Sequence, residues 1–156
     1  MNYQIQSWPG RTVAGFHMVG PWETTVCQGF DQLALWVKSN NIHSGEWLAV
    51  YYDNPEITPP EKLRCDTVIS VPEDFVIPDN SEGVILTQIE GGLYAVAHAR
   101  VDDNNFAAPW MDFFSALMQD EKYTFSPKPT FDHYLNDGSE SGVWEFDMYI
   151  AVQEKA

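Results

Sequence analysis

Positive charge is scarce in this chain: 8 Lys and Arg stand against 23 Asp and Glu among 156 residues, a net charge of −15. A field of that sign repels polyanions, so direct nucleic-acid binding is not expected. Cysteine is nearly absent. Cys27 and Cys65 lie in unrelated contexts without Cys-x-x-Cys or His-rich spacing, which argues against a disulfide framework and a metal site. Both are expected to be ordinary packing residues. No stretch approaches the roughly 18 to 20 continuous apolar residues of a membrane span, and the N-terminus lacks the basic and apolar regions of a secretory signal. A cytoplasmic protein with no membrane contact is expected. Histidine occurs only at positions 17, 43, 98 and 133, with no HExxH pair, and there is no GxSxG elbow, Walker loop or GxGxxG turn. No catalytic residue, cofactor or metal is expected, and no enzyme. His17 and His98 read as core or interface histidines at matching places in two strands.

What is present begins with enough apolar material for one compact domain: 44% hydrophobic and 14% aromatic residues. It is arranged twice. Cys65-Asp66-Thr67-Val68-Ile69-Ser70-Val71 has its counterpart about 81 positions later in Phe146-Asp147-Met148-Tyr149-Ile150-Ala151-Val152. The apolar strand from Val13 to Val19 corresponds to Tyr94 to Val101. Phe30, Leu33, Leu35, Trp36 and Val37 form a helical apolar row that Trp110, Phe113, Phe114, Leu117 and Met118 repeat. Trp47 to Tyr52 followed by Asp53-Asn54-Pro55 matches Thr130 to Leu135 followed by Asn136-Asp137-Gly138, each a strand running into a turn. The expected fold is therefore α+β. It comprises two β-α-β-β half-modules, about 1–78 and 79–156, related by a pseudo-twofold, with helices on one face of an antiparallel sheet and a central groove.

Two surfaces stand out as candidate sites. From Pro72 to Gly92 the chain carries Glu73, Asp74, Asp79, Glu82 and Glu90 with no Lys or Arg, and contains the strand Gly83 to Ile89. It reads as an acidic connector able to meet a basic partner. In the last strand, alternation puts Trp144, Phe146, Met148 and Ile150 on one face and Glu145, Asp147, Tyr149 and Ala151 on the other. Asp132 and Tyr134 form a similar pair one strand earlier. Lined by Asp147, Tyr149, Asp132, Trp22, Tyr51 and Trp110, a groove would favour a flat cation or a cationic peptide, because aromatic faces attract cations and a carboxylate supplies the opposite charge.

Several stretches, taken together, resemble the GyrI-like family: Arg11-Thr12-Val13-Ala14-Gly15-Phe16-His17, Val19-Gly20-Pro21-Trp22-Glu23, Ala49-Val50-Tyr51-Tyr52-Asp53-Asn54-Pro55 and Glu61-Lys62-Leu63-Arg64-Cys65-Asp66-Thr67. Ser81 to Thr87, Pro127-Lys128-Pro129, Tyr134-Leu135-Asn136 and Met148 to Gln153 extend the likeness to nearly the whole chain. The resemblance implies a duplicated β-α-β-β domain with a groove between the copies, found also as the ligand-sensing part of some AraC-type and MerR-type regulators. No helix-turn-helix pattern fits this chain, so the stand-alone form is implied. Its expected partner is DNA gyrase, whose supercoiling it would reduce by limiting DNA engagement, protecting the cell against gyrase-directed toxins under stress. The family pattern Glu-aliphatic-Tyr-Ile-Pro-Val falls on Asp147-Met148-Tyr149-Ile150-Ala151-Val152, and a second family Glu, in Phe-Glu-x-Tyr, falls on Asp132. With Asp in place of Glu the side chain is one methylene shorter, so a bound cation has to come closer. Hydrolysis by a groove carboxylate, implied for some members, is not expected without that Glu.

Overall fold

The computed structural model describes residues 2–42, 45–103, 105–136, 138 and 141–155. Its elements run β1 (Gln4–Trp8), β2 (Arg11–Val19), α1 (Trp22–Ser39), β3 (Trp47–Tyr51), a 3-10 turn (Pro60–Lys62), β4 (Arg64–Val71), β5 (Val84–Ile89), β6 (Gly92–Val101), α2 (Ala107–Met118), β7 (Tyr123–Phe125), β8 (Thr130–Tyr134) and β9 (Trp144–Glu154). The strand pairings within each unit are antiparallel, which makes the class α+β. Strand, helix, strand, strand occurs twice, as β2-α1-β3-β4 and β6-α2-β8-β9. His43 and Asp137, named above, lie outside the described residues. Among the described residues no helix is long and apolar enough to cross a membrane.

Two compact units share the chain, Gly10–Glu90 and Met1–Pro9 with Gly91–Ala156. The division falls at Glu90 rather than near residue 78, because β5 pairs with β2, from Arg11 opposite Ile89 to Phe16 opposite Val84. β1, which shows too little apolar alternation to stand out in the sequence, pairs with β6 from Gln4 opposite Val96 to Trp8 opposite Gly92. Each repeat is thus completed by a strand from outside its own stretch of chain. β1 precedes the first repeat and closes the second, while β5 precedes the second and closes the first. The short β7 beside β9 has no counterpart among the described residues of the first unit.

In Gly10–Glu90, α1 follows Pro21 at its N-cap, with Glu23 in its first turn and Lys38 in its last, both favourable to the helix dipole. Its buried residues Thr25, Gly29, Leu33 and Trp36 form one face. Leu33 and Trp36 pack with Ala14 and Ile69 of the sheet. Leu35 leaves this row and is 68% exposed, since two positions from Leu33 is about 200° around a helix. Cys27 is also exposed, on the same helix, whereas Cys65 is buried beneath it. Cys27 is therefore not a packing residue. In the other unit, Phe113 and Leu117 of α2 pack on Ala95, Ala97, Ala99, Phe146, Met148 and Ile150, with Met118 turned outward.

The approach of α1 to β4 is closest at Gly29. A Cβ there would stand 2.4 Å from Thr67 Oγ1 and 2.7 Å from Thr67 Cγ2. Gly29→Ala is expected to destabilise by about 1 to 3 kcal/mol through overpacking. Thr67→Ala in the same chain removes both obstructing atoms, so a double-mutant cycle by urea unfolding should show most of the loss recovered.

Candidate functional site

On the face of each sheet away from its helix, the repeats carry the same pair. His17 Nδ1 lies 2.6 Å from Asp66 Oδ1 and His98 Nδ1 lies 3.0 Å from Asp147 Oδ1. Both pairs span 49 positions and sit directly opposite each other across β2 and β4 or β6 and β9. Both histidines are hydrogen-bonded, yet their side chains are 43% and 52% exposed. They are surface groups rather than core ones.

The surroundings of the two pairs differ in charge. Asp66 is buried and also accepts a hydrogen bond from the Tyr52 hydroxyl. Beside it Arg64 grips Asp53 through Nε at 3.1 Å and Nη2 at 2.8 Å, while its guanidinium lies 5.8 Å from the Tyr52 ring centre. The bond to Arg64 holds the Asp53 carboxyl below its usual range. In the other unit Glu145 takes the matching place of Arg64, and its Oε1 is 3.6 Å from His98 Nε2. His98 is thus flanked by two carboxylates with no arginine in that place.

Burial first, and then the bond to Asp66, raise the Tyr52 phenol well above its usual value. A raised folded-state value means that Tyr52 contributes stability in full below its unfolded value of about 10 and loses it as pH rises through the folded one. Tyr52→Phe removes that contribution. Urea midpoints of the two proteins should differ at neutral pH and converge above about pH 10.

Beside Asp147 the second unit carries a buried aromatic cluster. Tyr149 stacks on Phe131 with ring centres 4.5 Å apart and planes 10° from parallel, and Trp8 and Tyr94 lie 4.7 Å and 5.3 Å from Phe131. Tyr149 is directly opposite Phe131 in the sheet, so both rings and Asp147 share the helix-free face. Asp132 does not belong there. It is opposite Met148, whose side chain lies in the core against α2, and it is 1% exposed. The β8 and β9 register decides this, since a shift of one residue exchanges faces. Trp110 packs on that same α2 core. Trp22 and Tyr51 contact each other at 4.8 Å in the first unit, where Trp22 starts α1 and its Nε1 bonds the Arg64 carbonyl. Of the six groove candidates, the structure brings Asp147 and Tyr149 together and separates Asp132 and Trp110 from them. Sequence reasoning missed Trp8 and Tyr94 as their companions; the sole clue was an aromatic in each of two strands of unknown register.

The second candidate surface is continuous along the chain. Glu73, Asp74, Asp79, Glu82 and Glu90 are all exposed, and β5 lies between the last two. Asn80 takes a positive φ of 64° in the turn before β5, as the Asp79 to Gly83 composition predicts. Among the described residues no group of three or more His, Cys, Asp or Glu side chains is placed to hold a metal ion.

Residues 1–153 match the family described as GyrI-like small molecule binding domain. The chain belongs to the GyrI-like family. It is 61% identical over 155 residues to a protein of Escherichia coli strain K12 named DNA gyrase inhibitor, covering 99% of both chains. Among solved structures, this GyrI-like chain is similar to the C-terminal domain of EcmrR, with a TM-score of 0.71 and 11% identity over 99% of this chain and 100% of that one. It is also similar to SAV2435, solved bound to tetraphenylphosphonium, with a TM-score of 0.61 and 13% identity over 98% and 94% of the two chains. At these identities the solved structures establish the GyrI-like fold alone.

Proposed function

We propose that this protein binds DNA gyrase and reduces its supercoiling by limiting productive DNA engagement, and that it thereby protects cells against gyrase-directed toxins. The observation that carries this reading is the 61% identity, along 99% of both chains, to the Escherichia coli protein named DNA gyrase inhibitor. A net charge of −15 and five exposed carboxylates on one segment supply a mechanism. An acidic surface is drawn to the basic groups that receive DNA and competes for them. The test is a supercoiling assay with purified gyrase across a salt series, beside a pull-down of gyrase subunits without DNA. Binding together with inhibition that fades above about 150 mM salt, where the Debye length falls to about 8 Å, is the expected result. Absence of both removes gyrase as the partner.

A second reading rests on Asp147 and Glu145, both beside His98 on the helix-free face of the second unit. Two partly exposed carboxylates with no arginine in the place that Arg64 takes in the other unit suit an organic cation. Fluorescence titration with an aromatic cation dye should saturate for the wild type and weaken for Asp147→Asn; equal curves for both would remove Asp147 from ligand binding.

A further inference from the structure

Each unit holds an edge strand, β1 or β5, that is hydrogen-bonded on one side, leaving about half of its N–H and C=O groups facing outward. In Gly10–Glu90 that strand is β5, and among the described residues no strand pairs with its outer side. Natural edges are commonly blunted by lysine, proline, an inward charge, a bulge or short length. Val84-Ile85-Leu86-Thr87-Gln88-Ile89 has none of these devices. It is 6 residues long, carries no charge, proline or glycine, and pairs with β2 in an unbroken register. Leu86, Thr87 and Gln88 are exposed along it. The corresponding edge in the other unit is better guarded: β1 has 5 residues, Gln6 bonds Gln4 across 3.2 Å, and Pro9 follows directly.

Charge selects the occupant of the β5 edge. Glu82 stands two positions before the strand and Glu90 directly after it, with Asp79, Asp74 and Glu73 further back and no Lys or Arg from Pro72 to Gly92. A second copy pairing antiparallel on β5 would set Glu82 of one chain beside Glu90 of the other, between two molecules of charge −15 each. Like charges facing each other oppose that dimer. An extended segment bearing Lys or Arg meets the opposite situation.

We propose that the outer edge of β5 is a docking strand that takes an extended, basic segment of a partner protein as an added strand, with Glu82, Glu90 and Asp79 selecting its positive charge. Backbone pairing supplies affinity without demanding a particular partner sequence, and the acids at both ends supply the preference. The inference rests on reading the acidic segment as a partner surface and adds the way contact is made.

The test uses the full chain and a synthetic peptide of about ten residues alternating Lys and Val, long enough to span the strand. Its control has the same charge but carries N-methyl groups on alternate amides, so that it cannot pair through that edge. Amide hydrogen exchange is followed residue by residue. The outward amides among 84–89 should slow by roughly tenfold or more with the unmodified peptide and stay unchanged with the methylated one. Asp79→Asn, Glu82→Gln and Glu90→Gln together should weaken binding by roughly tenfold. Equal binding of both peptides overturns the docking strand, because charge alone then accounts for it. Protection that grows with protein concentration in the absence of peptide overturns it too, assigning the edge to a second copy. The same exchange measurement with gyrase separates this inference from the reading it rests on. Gyrase inhibition with amides 84–89 exchanging as in the free protein sinks the docking strand and leaves the gyrase reading standing. Peptide protection without any gyrase binding does the reverse.

Discussion

Gly15→Ala is expected to leave most of the protein unfolded or insoluble. Gly15 lies in the middle of β2, between β4 and β5, opposite Val68 on one side and Ile85 on the other. A Cβ at this position would stand 2.1 Å from the Thr67 carbonyl oxygen and 2.7 Å from Val68 Cα. Both obstacles are backbone in a buried strand, so no side-chain rotation or neighbouring truncation relieves them, in contrast to the contact at Gly29. The loss should be on the order of 3 kcal/mol or more, a large share of the 5 to 15 kcal/mol that holds a domain folded. Soluble yield and the urea midpoint measure it. Gly142→Ala is the control: φ there is +77° but nothing lies within 4 Å, so only the backbone cost of about 1 kcal/mol is expected. A Gly15→Ala protein as stable as that control would show that β2 and β4 yield easily at their centre.

Replacing Glu73, Asp74, Asp79, Glu82 and Glu90 by Lys should abolish the proposed gyrase inhibition while leaving the fold intact. The five side chains are exposed, and each reversal adds two charges, taking the chain from −15 to about −5. Electrostatic steering changes association rates by roughly 10- to 1000-fold, so a fall in gyrase association of at least tenfold is expected at low salt, shrinking as salt rises. Overall charge and placement separate cleanly. Reversing Asp31, Glu56, Asp112, Glu121 and Glu154, which are also exposed, makes the same change in net charge at other places. If both sets weaken inhibition equally, the chain acts through its total charge and the 73–90 segment has no special role. If neither does, the electrostatic mechanism fails.

Much of this architecture was legible because it is local. Alternation from Trp144 to Val152 placed Phe146, Met148 and Ile150 on one side and Asp147 and Tyr149 on the other, as found. The likeness of residues 65–71 to 146–152 put Asp66 and Asp147 at matching places in two strands, but that each lies opposite a histidine is seen only in the strand register. What alternation cannot report is which strand lies alongside. Asp132 and Asp147 both alternate with apolar neighbours, and only the β8 and β9 register shows that one faces α2 and the other does not. The buried aromatic cluster was hidden for the same reason, since Trp8 and Tyr94 belong to strands that are far from Phe131 and Tyr149 in the sequence. Cys27 and Leu35 were misread on another ground: apolar character in an amphipathic helix does not fix direction when several apolar residues crowd the same turn.

The exchange of β1 and β5 bears on how such a protein can be inherited. A tandem duplication whose copies stayed independent could be cut apart by recombination at the junction between them, and either copy could then be lost, moved or replaced. Here a break after Glu90 leaves the downstream piece without β1, and a break near residue 78 takes β5 from the upstream one. Only Gly10–Glu90 is a contiguous cassette; its sister can be transferred whole only if the first nine residues travel with it. A crossover at either point therefore leaves one half short of a strand it pairs with, so recombination at the junction between the repeats does not yield two complete halves.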